Sequence, residues 1–468
     1  MRRVCGVIGI LGEISLACAR QMLLLLTHRG QDASGLLWVD DGKYASAKSI
    51  GSPDQIDLPT LKTSIVLGST RYPTTGSRVV SQDYLETFVG PFSVGNLALT
   101  HNGNITNMQS LFEGEYECDS QFICERLDHY LDTHNNDLVK AIRSLDSDVD
   151  GAYSIAGVHK GNLFAYRDPR GFKPLVFGRG NNRVIVASES TVLEMGGVAL
   201  ERDIYPGELI IFYSDSRMES YAIAQNEAHS HCFFEYVYFA HPAAILEGKL
   251  VYDTRFRLGR ALARKFQQME MEPPDYVVPV PDTSRPAAQA LAEELGVPMR
   301  EIILKNRYLG RTFILRSQEE RSNTAKGKYI YLKEKVRGKN ILVIDDSIVR
   351  GTTAKMITSD LKQMGASKVY FAVTCPPQSH PCYYGIDIAT DKELIASESD
   401  IECISKHIGA DALIYQDITA LENAIGLTDM CSACLDGKYP TEHARLIRQS
   451  LAEQGASNTG RDYERSFQ

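Results

Sequence analysis

The chain has 468 residues, of which 43 % are hydrophobic and 23 % charged, and a formal net charge of −9. That length supports two to three domains with ample core, and the acidic balance gives no basis for a nucleic-acid or anionic-membrane partner. No apolar run approaches a membrane-spanning length and Met1-Arg2-Arg3-Val4 lacks a signal peptide's apolar core, so the chain is expected to be cytoplasmic, with cysteines that act as thiols, nucleophiles or ligands.

Residues 5–14 read as a strand that begins on Cys5. A cysteine there is either a buried core residue or, if Met1 to Val4 are removed, a thiol beside a free α-amine of pKa near ~8 that can relay its proton. His28-Arg29-Gly30-Gln31 follows a helix-like apolar run, 22–26, and Gly68-Ser69-Thr70-Arg71-Tyr72-Pro73 follows a strand over 64–67. Leu97-Ala98-Leu99-Thr100 leads into His101-Asn102-Gly103-Asn104, whose Asn-Gly pair by itself signals a hairpin turn, and Cys118-Asp119-Ser120 comes next. From Gly151 to Glu208 the pattern is short strands in two hairpin-like pairs, and the polar stretch 214–230 marks a domain boundary.

Beyond it, Cys232 precedes an aromatic strand predicted over 233–239. A buried strand over 277–280 ends in Pro281-Asp282-Thr283-Ser284 and is followed by a helix to Leu295. The stretch 340–353, NILVIDDSIVRGTT, is the most informative in the chain. A strand over 341–344 runs into Asp345 and Asp346, then Arg350-Gly351-Thr352-Thr353 opens a helix that Gly365 stops. A strand, a Gly-containing loop and a helix N-terminus form an anion site. The paired carboxylates would repel a bare phosphate, so the ligand also offers hydroxyls or a metal. A ribose 5-phosphate does both, and the P-loop pattern is absent.

The basic, aromatic segment 305–313 is either a solvated loop or a lid over a leaving group. A strand over 369–374 continues a β–α–β–α order, which indicates a doubly wound sheet. Cys431-Ser432-Ala433-Cys434 has metal-ligand spacing, for which zinc or redox chemistry is the default reading. Cys18, Cys118, Cys124, Cys375 and Cys403 have no comparable context and read as structural thiols. A charged helix from Thr441 and a polar tail over 455–468 close the chain.

Cys-Gly-Val, His-Arg-Gly-Gln, Thr-Arg-Tyr and His-Asn-Gly-Asn, in that order, resemble the glutamine amidotransferases of the N-terminal-nucleophile class. NILVIDDSIVRGTT resembles the phosphoribosyl-pyrophosphate (PRPP) motif of the type I phosphoribosyltransferases, and over roughly 5–440 both halves are similar to the PRPP amidotransferases. The resemblance implies an αββα sandwich followed by a doubly wound parallel sheet. The expected limits are a propeptide over 1–4, an amidotransferase domain over 5–230, a phosphoribosyltransferase domain over 231–440 and a C-terminal helix and tail over 441–468.

On this resemblance Cys5 is the nucleophile, Asn102 and the Gly103 N–H form the oxyanion hole, Arg71 holds the glutamine carboxylate and Asp119 its ammonium. Gln121 stands where the family usually has an acid. PRPP would lie on Asp345, Asp346, Ser347, Arg350, Gly351, Thr352 and Thr353, under a lid carrying Lys305, Tyr308 and Arg311, with Mg²⁺ on Thr283, Asp345 and Asp346. Cys232, Cys382, Cys431 and Cys434, with the trailing Gly437-Lys438-Tyr439-Pro440, resemble the ligands of members carrying a [4Fe–4S] cluster. The implied reaction moves ammonia from glutamine to PRPP and gives 5-phosphoribosylamine, the first step of de novo purine synthesis. It brings feedback inhibition by purine nucleotides and a homo-oligomer, dimer or tetramer, as further expectations.

Overall fold

Alternation along the first strand sets the layering of the N-terminal half. In Gly6–Ser15, Ile8 and Ile10 face a cluster with Ala19, Met22 and Leu23 of the helix Leu16–Leu24. Val7 and Leu11 face the opposite way, toward Ala98, Ala156 and Ile210 of a second sheet. The computed structural model describes residues 5–71, 82–111, 116, 118–224, 228–306, 329–386, 388 and 390–453. Met1 to Val4, Tyr308, Arg311 and the tail 455–468 lie outside them.

The first sheet has seven strands, in the order Ala199–Asp203, Val176–Gly180, Arg183–Ala187, Gly6–Ser15, Lys62–Arg71, Ala33–Asp40 and Lys43–Ile50. The second has six: Met218–Ala222, Glu208–Phe212, Asn162–Arg167, Gly151–His159, Leu97–Ile105 and Phe92–Val94. The helices Asp119–Thr133 and Leu138–Asp148 cover its outer face through Phe122, Ile123, Leu127 and Ile142. Helix, sheet, sheet and helix thus form the expected αββα sandwich.

Gly151–His159 and Asn162–Arg167 make the expected hairpin, whereas Arg183–Ala187 turns back onto Val176–Gly180 and Glu208–Phe212 onto Met218–Ala222. The polar stretch after residue 213 therefore holds an edge strand, polar because one face meets solvent. Asn102 and Gly103 sit inside the strand Leu97–Ile105 and not in a hairpin turn. Gly103 has φ +154°, and a Cβ there would stand 1.8 Å from the Ala152 carbonyl oxygen. Only glycine fits that register.

In the second half Tyr276–Pro279, Asn340–Asp345, Lys368–Val373 and Ala412–Tyr415 form a parallel sheet in that order. Leu342 and Ile344 pack with Leu262, Phe266 and Leu291, from the helices Val251–Gln268 and Arg285–Leu295. Ile341 and Val343 face Ile357 and Leu361 of Thr352–Gln363 and Ile404 of Ile401–Ile408. Helices on both faces of a parallel sheet are the doubly wound arrangement.

One element is corrected. Residues 233–239 do not form a strand: Glu235–Phe239 is a π-helical turn. Arg255 holds it by donating from Nε to the Tyr236 carbonyl at 2.9 Å and from Nη2 to those of Tyr238 and Ala240 at 3.0 and 2.8 Å. The aromatic run is buried on several sides, so it carried no alternation that could distinguish strand from helix.

The halves meet through buried polar contacts. Arg29 donates to Glu189 at 2.7 Å and bidentately to Glu235 at 2.8 Å, and all three are buried. Removing one partner from such a set typically costs about 3–5 kcal/mol, because the remaining charge is stranded. Phe172 stacks on Tyr384 with centroids 4.2 Å apart, and Asn104 Nδ2 donates to the Tyr383 carbonyl at 2.9 Å.

Candidate active site

Cys5 lies at the head of the central strand, in a cleft also lined by Thr70, Arg71, Phe88, Thr100, His101 and Ser120. Its position is set by its neighbours. Gly6 N donates to Thr70 Oγ1 at 3.1 Å, Val7 N to Ser188 Oγ at 3.0 Å, and Arg29 Nε to the Cys5 carbonyl at 3.3 Å. A Cβ on Gly6 would meet Thr70 Oγ1 at 2.7 Å and Leu26 Cβ at 2.8 Å, so a side chain there would displace the strand end.

Asn102 is 1 % exposed, and neither atom of its side-chain amide has a hydrogen-bond partner. Burying an unpaired amide is costly, so a ligand group that pairs with it gains strongly. Asp119 is buried too; Oδ1 accepts from Ser120 N at 2.9 Å and Oδ2 accepts nothing. Arg71 lies over the Phe88 ring, 5.4 Å from its centroid, with Nη1 3.9 Å from Cys118 Sγ. His101 is fixed between Ser120 Oγ at 3.1 Å and the Ala152 carbonyl at 3.3 Å, and burial lowers its pKa, which keeps it neutral. The Cys5 thiol and the Arg71 guanidinium line the cleft, and the buried Asn102 and Asp119 are chain neighbours of its lining residues His101 and Ser120, a set of groups that suits an amino acid with a side-chain amide. Phe88, which sits in no motif, had no sequence signal.

The second constellation stands at the carboxyl ends of the parallel strands. Asp345 and Asp346 are each 8 % exposed. Asp345 Oδ1 accepts from Asp346 N at 2.9 Å and from Ser284 Oγ at 3.5 Å, and Asp346 Oδ1 accepts from Ser347 Oγ at 2.8 Å. Thr283 follows the adjacent strand and is half-buried, and its neighbour Ser284, which sequence reasoning passed over, makes the contact to Asp345. Gly351 takes the left-handed conformation, φ +72°, before the helix Thr352–Gln363, which has no side-chain N-cap. Its first-turn N–H groups are thus oriented for an anion. Thr352 and Thr353 open that turn, while Arg350 is exposed and pairs with Glu393. Lys305 Nζ bonds to Asp282 at 3.1 Å.

The four cysteines also converge. Cys232 and Cys431 are register partners in a short parallel ladder of His231–Cys232 with Met430–Cys431. The Ser379 and His380 N–H groups both donate to the Cys434 carbonyl at 3.1 Å, and Tyr384 N donates to Cys382 Sγ at 3.4 Å. Burial first, then the neighbouring Cys382 and Cys431, raise the Cys434 pKa, and Cys232 is pushed up to about 11 by burial against the pull of Lys173. Lys173 is buried and its ammonium has no hydrogen-bond partner. Burial works to lower its pKa, but Cys232, Glu235 and Cys382 hold it above its ordinary value. An orphaned cation among thiols fits an anionic, cysteine-ligated group. Among the described residues no three of these sulfurs fall within 4.8 Å of one another.

The family model described as a glutamine amidotransferase domain matches residues 82–195, and a phosphoribosyl transferase domain model matches 252–412. The chain is 37 % identical to the amidophosphoribosyltransferase of Methanothermobacter thermautotrophicus, over 94 % of this chain and 95 % of that one. It belongs to the amidophosphoribosyltransferase family. Its relative from Pyrococcus horikoshii is 38 % identical over 94 % of this chain and 97 % of the other. Among solved structures it resembles the glutamine PRPP amidotransferase from B. subtilis complexed with ADP and GMP. That match has a TM-score of 0.82 and 34 % identity over 94 % of this chain and 98 % of that one. A structure described as the allosteric regulatory enzyme of purine biosynthesis matches at TM-score 0.83 and 33 % identity, over 94 % and 96 % of the two chains. No helix among the described residues is long and apolar enough to cross a membrane.

Proposed function

We propose that the chain is a glutamine-dependent amidophosphoribosyltransferase of purine biosynthesis, with the chemistry divided between the Cys5 cleft and the Asp345–Asp346 loop. The observation that carries this is the joining of two complementary sites in one chain, with the strand of Asn102 and Gly103 packed on Tyr383 through the buried Asn104 contact. Cys5 Sγ attacks the side-chain carbonyl of glutamine, with the α-amine of a processed chain taking the thiol proton. Asn102 Nδ2 and Gly103 N–H stabilise the oxyanion, Arg71 pairs with the α-carboxylate, and Asp119 holds the ammonium. The tetrahedral adduct expels ammonia, and water cleaves the thioester to glutamate.

Ammonia then passes within the protein to C1 of PRPP and expels pyrophosphate. The 5-phosphate sits on the N–H groups around Gly351 to Thr353, and the ribose diol on Asp345 and Asp346. Mg²⁺, held by Thr283 or Ser284 with Asp345 and Asp346, supplies charge neutralisation of the pyrophosphate when bound. Lys305, the last residue of the strand Ile303–Lys305, would exchange its Asp282 partner for the pyrophosphate, while Tyr308 and Arg311 lie outside the described residues. Arg350 would have to exchange its Glu393 partner for a phosphate. The relative crystallised with ADP and GMP supports purine nucleotides as regulators of this chain. A cytoplasmic homo-oligomer, dimer or tetramer, completes the proposal. The deciding assay is phosphoribosylamine formation with glutamine and with ammonium as alternative nitrogen sources. A protein active with neither would overturn the reading.

The four cysteines are proposed to hold a [4Fe–4S] cluster that ties residue 431 back to residue 232 and takes no part in electron transfer. Closing a loop of that length should stabilise the fold by several kcal/mol, about as a long-loop disulfide does. Protein prepared without oxygen is expected to be brown, with about four irons and four sulfides per chain. Stoichiometric zinc without sulfide in that preparation would refute the cluster and leave the other two sites standing.

Asn104 is expected to matter for the glutamine half alone. Asn104→Ala removes the buried hydrogen bond to the Tyr383 carbonyl, a loss of about 0.5–1.5 kcal/mol, and loosens the strand carrying the oxyanion donors. Glutamine-dependent kcat should fall roughly tenfold or more with ammonium-dependent synthesis retained. An equal loss of both activities would mean that the contact serves folding only.

A further inference from the structure

Outside both catalytic constellations, a group of imidazoles and a carboxylate stands on the ladder that carries Cys232 and Cys431. His229 and His231 are two residues apart on an extended segment, which puts their side chains on one side, and their ring centroids are 5.6 Å apart. The parallel neighbour brings Asp429 alongside: His231 N donates to the Asp429 carbonyl at 3.0 Å, and His229 Nδ1 lies 3.0 Å from Asp429 Oδ2. One ligating atom from each of the three residues lies within 4.8 Å of the other two. A first-row ion with bonds of about 2.0–2.1 Å needs ligand atoms roughly 3.4 Å apart, a contraction that the half-buried His229 and Asp429 side chains accommodate around His231.

A second observation points the same way. His231 Nδ1 lies 3.0 Å from the Gly171 carbonyl and 3.6 Å from Glu247 Oε1. The carbonyl only accepts, so in the tautomer that makes this bond Nδ1 donates and Nε2 keeps its lone pair. Arg167 Nη2, 3.2 Å from the same nitrogen, already donates to that carbonyl at 2.8 Å, and Arg167 Nη1 is paired with Glu247 at 2.6 Å. A ligating histidine typically has its other nitrogen tied to a carbonyl or carboxylate in this way. His231 is buried, whereas the side chains of His229 and Asp429 are each 35 % exposed, so an ion would keep a face open to solvent.

We propose that His229, His231 and Asp429 bind one divalent transition-metal ion, zinc by ligand class, separate from the cysteine site. Two imidazoles and a carboxylate suit zinc or a neighbouring first-row ion rather than magnesium or calcium. Alternation along the strand places Cys232 on the face opposite His231, so the two donor sets do not share an ion. A bound ion clamps residue 429 to 229–231 and so fixes the ladder on which Cys232 and Cys431 sit. The metal site itself needs no cluster to exist.

The test uses the full-length protein, prepared anaerobically, with Co²⁺ as spectroscopic probe and excess Mg²⁺ present. Wild type should bind one Co²⁺ with weak visible d–d bands and no sulfur-to-cobalt charge-transfer band. His229→Ala and Asp429→Asn, both changes at the surface, should each weaken binding by more than the roughly 10- to 100-fold that loss of an outer partner costs. Zn²⁺ should raise Tm in wild type and not in these variants, with amidotransfer unchanged. Binding that survives His229→Ala, or that shows sulfur charge transfer and disappears in Cys431→Ser, would overturn the proposal. Iron and sulfide counts on the same wild-type sample report the cluster separately, so failure of one reading is distinguishable from failure of the other.

Discussion

Cys5→Ala is expected to abolish glutamine use, by more than about 10⁴-fold in kcat/KM, and to leave ammonium-driven phosphoribosylamine synthesis near the wild-type rate. The split follows from the architecture. Cys5 lines a cleft in the N-terminal half, and the Asp345–Asp346 loop is built on a different sheet with its own core. The thiol is small and only half-buried, so its loss removes little packing. Glutamate release and phosphoribosylamine formation, measured side by side with each nitrogen source, check the prediction. A Cys5→Ala protein that still released glutamate at a tenth of the normal rate would exclude Cys5 as the nucleophile. Intact mass of the active protein bears on the same residue: a chain beginning at Cys5 supplies the α-amine base, and full glutaminase activity from a chain retaining Met1 would remove that base from the mechanism.

Asp345→Asn and Asp346→Asn are expected to depress both activities. Each keeps its volume, so the change tests charge rather than packing. Loss of a hydrogen bond to a charged group costs about 1.5–3 kcal/mol, or tenfold and upward in affinity, and loss of a metal ligand adds to it. The KM for PRPP should rise by at least about tenfold with either nitrogen source, with kcat falling as well. Stability should change little, because the mutual repulsion of the two buried carboxylates is offset for Asp346 by the nearby Arg255 guanidinium. A Tm that falls together with activity would mean that the acids hold the fold, and unchanged PRPP kinetics would remove them from the site.

The candidate phosphate-site residues were legible in the sequence because they are local. Asp345, Asp346 and Gly351 to Thr353 lie within one strand–loop–helix run, so the spacing along the chain is already the spacing of the site. Cys5, Arg71, Asn102 and Asp119 could be picked out singly, through the family resemblance of the short motifs that carry them. Alternation and terminal glycines located most strands and helices to within a few residues.

What remained hidden depended on contacts remote in sequence. Asn-Gly at 102–103 reads as a turn until the strand Gly151–His159 pairs with it and leaves space for no side chain at Gly103. The run 233–239 reads as a strand because its aromatics suit one, yet Arg255 and Arg29 bind its carbonyls and its glutamate in a π-helical turn. Ser284 joins Asp345 only because two parallel strands end side by side, and Arg350 turns to Glu393 across a loop. Nor does anything in the sequence relate Asn104 to Tyr383, or His229 and His231 to Asp429. By itself the sequence determined which groups were available and which elements would present them. The tertiary structure decided which of them meet, since pairing, burial and charge neutralisation act between segments that the chain order leaves as much as 293 residues apart.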